Sequence, residues 1–137
     1  MTNSELILEA KKARERAYAP YSGHSVGAAL VTAEGRIYHG CNIENAAYGP
    51  TNCAERTAFF KAIYEGERKF TKIAIVGGME GTAGDKPCAP CGVCRQVMME
   101  FCDPAQFKII LANGEDEPKE YTLEELLPLG FGPDNLG

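Results

Sequence analysis

The sequence predicts an α/β protein: a three-layer α-β-α sandwich on a single mixed five-stranded sheet, with helices on both faces. Three observations carry this expectation. Segments of strand character alternate with segments whose apolar residues return at helical spacing, in the order α-β-β-α-β-α-β-β-α. The run at 73–76 (Ile-Ala-Ile-Val) is short and wholly apolar, as a strand covered on both faces must be. Two cysteine motifs fall where a loop meets a helix start, which is where such sheets hold ligands.

The elements follow in order. Thr2-x-x-Glu5 has the form of a capping box, and Leu6, Ile7, Ala10, Ala13 and Ala17 then recur on one helical face until Pro20 ends the helix. Residues 25–31 read as a strand of small side chains. Ala33-Glu34-Gly35 turns the chain, and 37–41 returns as the second strand of a hairpin. A polar loop over 42–52 leads to a helix that opens near Cys53, buries Ala54, Ala58, Phe59, Ala62 and Ile63, and stops at Gly66. Residues 77–90 are rich in Gly and Pro and read as a loop. A third helix sets Cys94, Val97, Met98 and Phe101 on one face. Strands at 107–111 and 120–122, a brief helix at 123–127 and a Gly/Pro-rich tail complete the chain. With 137 residues and no internal repeat, residues 1–137 are expected to form one domain.

Composition narrows the function classes. The net charge is −5 with no basic run, which disfavours nucleic acid and anionic membrane surfaces as partners. No stretch reaches the roughly 20 apolar residues of a membrane span, and the polar, acidic start is unlike a signal peptide. A cytoplasmic setting is therefore expected. There, six cysteines point to metal or catalysis rather than to disulfides.

Cys53-Ala54-Glu55 and Pro90-Cys91-Gly92-Val93-Cys94 carry the chemistry. Cys91 and Cys94, three apart, share a face at a helix start, and Cys53 has the same setting on another helix. Helix N-termini lower thiol pKa values, so two of them can present thiolates to one Zn2+. Three protein ligands leave a tetrahedral position for water, which separates catalytic from structural zinc. Glu55 stands beside that position as a proton acceptor, although a first-turn Glu also suits the helix dipole. Arg56 and Arg95 each lie within a turn of a ligand and could offset thiolate charge by bonding a sulfur. A rival reading closes the site with Cys88, because Pro87-Cys88-Ala89-Pro90-Cys91 repeats the Pro-Cys-x-x-Cys pattern. Cys88 lies off the helix face of Cys91 and Cys94, however, and a four-thiolate module leaves Glu55 unexplained. Cys41 and Cys102 read as buried small hydrophobes.

These motifs closely resemble the small, homotetrameric class of cytidine deaminases, a zinc family whose signature pairs a Glu with Pro-Cys-x-x-Cys. The resemblance runs from Tyr18-Ala19-Pro20-Tyr21-Ser22 to Phe131-Gly132-Pro133. It includes Val26-Gly27-Ala28-Ala29-Leu30, Gly40-Cys41-Asn42-Ile43-Glu44-Asn45-Ala46, Cys53-Ala54-Glu55-Arg56-Thr57-Ala58 and Cys91-Gly92-Val93-Cys94-Arg95-Gln96-Val97. It implies one Zn2+ per subunit on Cys53, Cys91 and Cys94, and Glu55 as the proton shuttle. It implies hydrolytic deamination of cytidine and 2′-deoxycytidine in pyrimidine salvage. Asn42 and Glu44 match the residues that hold the ribose; Ala46, Tyr48 and Ala54 match others around the nucleoside. Phe131 matches an aromatic passed into a neighbouring subunit's site, so the resemblance implies a homotetramer with composite sites. His24 stands where the family usually has a Phe stacked on the base, and is expected to stack rather than to bind metal. Deamination of an aminonucleoside or a free nucleobase is the alternative, and the Asn42-x-Glu44 pair argues against a bare base.

Overall fold

In the computed structural model, which describes residues 1–137, β1 (His24–Thr32) and β3 (Phe70–Met79) form the centre of a five-stranded sheet. The order is β2-β1-β3-β4-β5, with β2 (Ile37–Cys41), β4 (Lys108–Leu111) and β5 (Lys119–Thr122) outside them. Only the β3–β4 pair is parallel, so the sheet is mixed. The parallel connection needs a crossover, and α3 (Gly92–Phe101) provides it.

Alternation along the central strands decides what each face covers. Ala28, Leu30, Ile73 and Ile75 face α2 (Ala54–Tyr64) and α3, in one apolar cluster with Phe59, Met98, Phe107 and Leu123. Ala29, Val31, Ala74 and Val76 face α1 (Asn3–Arg14) and pack on Leu6, Ile7 and Ala10. The sheet is thus covered by α1 on one side and by α2 and α3 on the other. The short α4 (Leu123–Leu126) follows β5 on the α3 side. Phe59 anchors the thicker layer, with its ring 5.1 Å from that of Phe70 and 6.0 Å from that of Phe107. Gly27 lets α1 sit close to β1, because a Cβ there would lie 2.1 Å from the Ala10 carbonyl oxygen.

The elements differ from the sequence reading in three places. First, α1 stops at Arg14 rather than near Pro20. Tyr18 donates its N–H to the Asn42 carbonyl and accepts from the Glu44 N–H, and these bonds hold the chain extended beside the 42–44 segment. Ala17 therefore lies beyond the helix. Second, β3 runs on to Met79, past the expected end at 76. Gly77 and Gly78 pair with Val26 and Ser25, since backbone pairing needs no side chain. Third, the tail forms a 3-10 turn over Pro133–Leu136. The Thr2 hydroxyl accepts from the Glu5 N–H, as a cap does.

Candidate metal centre and substrate pocket

Cys53 is the N-cap of α2 and Cys91 the N-cap of α3, with Cys94 in the first turn of α3. Neither N-cap sulfur bonds its helix, so both helix starts direct unspent N–H dipole at the cluster. The sulfurs of Cys53, Cys91 and Cys94 lie within 4.8 Å of one another. The Cys53–Cys91 separation of 3.7 Å matches the ~3.8 Å edge of a tetrahedron with Zn–S bonds of about 2.3 Å. Cys88 is not part of the cluster. Its sulfur packs on β3, where a Cβ on Gly77 would come within 2.7 Å of it.

Charge gives a second test of whether these residues fit a zinc ion. Hydrogen bonds from Cys94, Arg56 and Cys91 pull the Cys53 thiol down to about 5, against the effect of burial. The Cys94 thiol is pushed up, first by its bond to the charged Cys53 and then by burial. A dication among the three sulfurs would offset the charge of Cys53 and let the raised Cys94 thiol ionise. The donor set fits zinc.

Arg56 and Arg95 take different parts. Arg56 Nη2 donates to the Cys53 sulfur at 3.2 Å, and its buried Nε has no protein acceptor. Arg95 bonds no sulfur. Its Nε donates to the Pro90 carbonyl at 2.8 Å and its Nη1 to the Leu126 carbonyl at 2.6 Å, which ties the ligand loop to α4. The expectation of a sulfur contact thus describes Arg56 and not Arg95.

Glu55, in the first turn of α2, is only 4% exposed. Burial, with the Cys53 charge adding to it, raises its carboxyl to about 7 against the effect of its own backbone N–H. A carboxyl tuned close to neutrality can both accept and return a proton. Burial pushes the Cys88 thiol up as well, and the Glu55 charge adds to that, so Cys88 lies within the field of this carboxyl.

Two hollows are lined by residues that the sequence singled out for substrate binding. The smaller, of about 340 Å³, is lined by Tyr21, Ser22, Glu44, Asn45, Tyr48 and Thr51. Glu44 is fixed there by the Tyr21 and Ser22 N–H groups and the Ser22 hydroxyl, which hold its carboxyl below the ordinary range. Tyr48 is 74% exposed and has φ +62°, so its ring stands out edge-on to Tyr21. The larger hollow, of about 540 Å³, has His24, Met79 and Cys88 in its wall.

Asn42 braces the start of β1. Its buried side chain accepts from the Val26 N–H at 2.8 Å and donates to the His24 carbonyl at 2.8 Å. Ala54 is fully buried below the centre, whereas Ala46 is exposed on the 42–52 loop. Phe131 is 58% exposed on the tail, and its carbonyl accepts from Gln96 of α3.

Sequence reasoning passed over Ser22 as a partner of Glu44, and Gln96 as the anchor of the tail. It also passed over Arg14, although an arginine four residues after Ala10 falls near the sheet-facing side of α1, which was a usable signal.

A doubly covered sheet with three convergent cysteines and a buried carboxyl at two helix N-termini is the arrangement of the zinc-binding deaminase class. The family model for the cytidine and deoxycytidylate deaminase zinc-binding region matches residues 1–109. A cytidine deaminase of Sporosarcina psychrophila is 52% identical over 136 residues, covering 99% of this chain and 96% of that protein. One from Halalkalibacterium halodurans is 49% identical, covering 99% and 98%. The crystal structure of a cytidine deaminase from Burkholderia pseudomallei superposes with a TM-score of 0.85 at 50% identity, covering 96% of this chain and 100% of that one. The chain belongs to the cytidine and deoxycytidylate deaminase family. No helix is long and apolar enough to cross a membrane.

Proposed function

We propose that the protein converts cytidine and 2′-deoxycytidine, with water, to uridine or 2′-deoxyuridine and ammonia. The observation that carries this reading is the buried Glu55, two residues along α2's start from Cys53 of the Cys53, Cys91 and Cys94 cluster. The cytidine deaminases at 52% and 49% identity support the substrate.

Cys53, Cys91 and Cys94 would hold one zinc per subunit, and when bound it supplies the Lewis acidity that makes water a nucleophile near neutral pH. Glu55 takes a proton from the attacking water and delivers it to N3 of the pyrimidine. The oxygen adds at C4. Glu55 then carries a second proton to the C4 amino group, the C–N bond breaks, and ammonia leaves. A carboxyl held near 7 suits a group that is base first and acid second. Arg56, by donating to the Cys53 sulfur, lessens the thiolate charge that would otherwise blunt the Lewis acid.

Asn42 and Glu44 hold the ribose hydroxyls, with Tyr48 and Ala46 beside the sugar. The Ala54 backbone and the His24 ring contact the base. Phe131 completes the site of a neighbouring subunit in a homotetramer, and Arg95 holds the ligand loop. The 137 residues act as one domain, and the reaction places the enzyme in pyrimidine salvage in the cytoplasm.

The test measures zinc per subunit and the loss of cytidine absorbance for wild type and Glu55→Gln. Glu55→Gln is expected to keep its zinc and lose about 10²–10⁴-fold in turnover. Full turnover by that variant would remove Glu55 from the mechanism. A wild type that binds zinc but leaves cytidine intact would remove the substrate assignment. Mixed tetramers of Phe131→Ala and Glu55→Gln subunits, each inactive alone, should regain activity if Phe131 serves a neighbour.

A further inference from the structure

We propose that Arg14 is a positioning residue for the deaminase site, acting through the sheet from the face opposite the cysteine cluster. It rests on the deaminase reading above. Arg14 is the last residue of α1 and sits in the layer that carries none of the metal or proton chemistry. Its guanidinium reaches the ends of β1 and β3 and the turn beyond them. Nε donates to the Ser25 carbonyl at 3.0 Å and the Ser25 hydroxyl at 2.9 Å. Nη2 donates to the Gly78 carbonyl at 3.0 Å and the Met79 carbonyl at 2.9 Å, with a longer bond of 3.4 Å to the Thr82 hydroxyl. Nη1 donates to the Thr82 carbonyl at 2.8 Å.

None of these acceptors is charged, and no carboxylate pairs with Arg14. The chain also makes room for the group. A Cβ on Gly84 would lie 2.6 Å from Nη1, at a φ of +70° that glycine alone adopts easily.

What Arg14 fixes is the wall of the larger hollow. Ser25 adjoins His24, and His24 pairs in register with Met79, whose carbonyl Arg14 binds. His24, Met79 and Cys88 line the hollow with Gly78, Thr82 and Gly84, all of which Arg14 bonds or abuts. Cys88, in turn, packs its sulfur against Gly77, the strand neighbour of Gly78. The coupling is short: guanidinium, the paired ends of β1 and β3, then the His24 and Met79 wall, where the deaminase reading places the base. A planar fork with five donors can bridge two strands and a turn at once. A lysine ammonium has three donors around one point, and an apolar chain has none. A packing role alone would be met by an apolar residue, which makes none of these bonds.

The experiment compares zinc-loaded wild type, Arg14→Met, Arg14→Lys and Ile7→Ala. Ile7 packs α1 on the sheet, and its apolar side chain makes none of the Arg14 hydrogen bonds. Each protein is assayed for zinc content, melting temperature, kcat and KM for cytidine, and backbone hydrogen exchange. Arg14→Met should keep its zinc and raise KM at least tenfold with kcat within about threefold of wild type. Arg14→Lys should fall between them. Ile7→Ala should melt lower with KM unchanged. KM within twofold of wild type in Arg14→Met, or an equal rise in Ile7→Ala, overturns the proposal. If Arg14→Met fails to fold, an unchanged KM in Arg14→Lys overturns it.

Exchange keeps this test separate from the substrate assignment. The Glu80 N–H donates to the Gly23 carbonyl at 2.7 Å, closing the edge that Arg14 holds. Its exchange should accelerate at least tenfold in the Arg14 variants while amides of α2 are unchanged. A wild type that leaves cytidine intact would defeat the deaminase reading, and Glu80 protection unaltered by Arg14 substitution would still defeat this one.

Discussion

Substituting Gly77 by alanine tests the placement of Cys88, and with it the separation of Cys88 from the metal ligands. An alanine Cβ would stand 2.7 Å from the Cys88 sulfur and 3.0 Å from Val26 Cγ2. Carbon and sulfur need roughly 3.5–4.0 Å, so Cys88 must retreat by about 1 Å. Overpacking of this kind costs about 1–3 kcal/mol. Removing the sulfur as well should recover most of the loss, because the Cys88 Cβ would be 3.4 Å from the new methyl. The Val26 contact remains, so recovery is incomplete. Urea unfolding of wild type, Gly77→Ala, Cys88→Ala and the double variant gives the coupling energy, expected at about 1–2 kcal/mol in favour of the double variant. Zinc content measured on the same four proteins should be equal. Additive destabilisation would mean that Cys88 does not pack on Gly77. Loss of zinc in Cys88→Ala would put Cys88 among the ligands and return the site to a closed four-thiolate form.

Arg56→Ala should lower zinc affinity by about 10–100-fold while the apoprotein stays folded, and Arg56→Lys should restore only part of it; competition with a chromogenic chelator reads both. Asn42→Ala strands the Val26 N–H and the His24 carbonyl, so chemical denaturation should show a loss of about 1–3 kcal/mol and steady-state kinetics a higher KM. Glu67 is held below the ordinary carboxylate value of 4.5, first by the Arg36 guanidinium and then by the Tyr38 hydroxyl. Because its folded value is the lower one, its contribution is present above about 4.5 and is lost as pH falls through the folded value. Glu67→Gln should therefore flatten the acid limb of a stability-against-pH curve and leave the curve's shape near pH 7 unchanged. An equally steep acid limb in the variant would remove Glu67 from the acid transition.

The fold and the metal centre were legible because both are written in local patterns. Ile73, Ile75, Leu30 and Phe59 announce buried faces by type and spacing, and Cys91 and Cys94 announce a shared turn. The partners of the arginines were not legible, because a hydrogen bond spanning 31 residues, as from Arg95 to Leu126, leaves no periodic trace. The same holds for Arg14, whose acceptors are mostly backbone carbonyls and so carry no residue signature. The end of β3 was missed for a different reason. Gly77 and Gly78 have low strand propensity, yet they complete the ladder opposite Val26 and Ser25 because the site needs the space their side chains would fill.

These glycines join the two sides of the sheet into one argument. On one face, the bare Cα of Gly77 admits Cys88 beside the layer that holds Glu55. On the other, Gly84 admits the guanidinium of Arg14. A larger residue at 77 would strengthen the strand locally but push Cys88 away, and one at 84 would push Arg14 away. The weak strand propensity at 77–78 is thus tied to the site rather than to the fold, since the β1–β3 ladder has Ile73, Ala74, Ile75 and Val76 to hold it. Strand ends that are intrinsically soft gain from a brace, and the Arg14 guanidinium spans the Ser25, Gly78, Met79 and Thr82 carbonyls at the paired ends of β1 and β3.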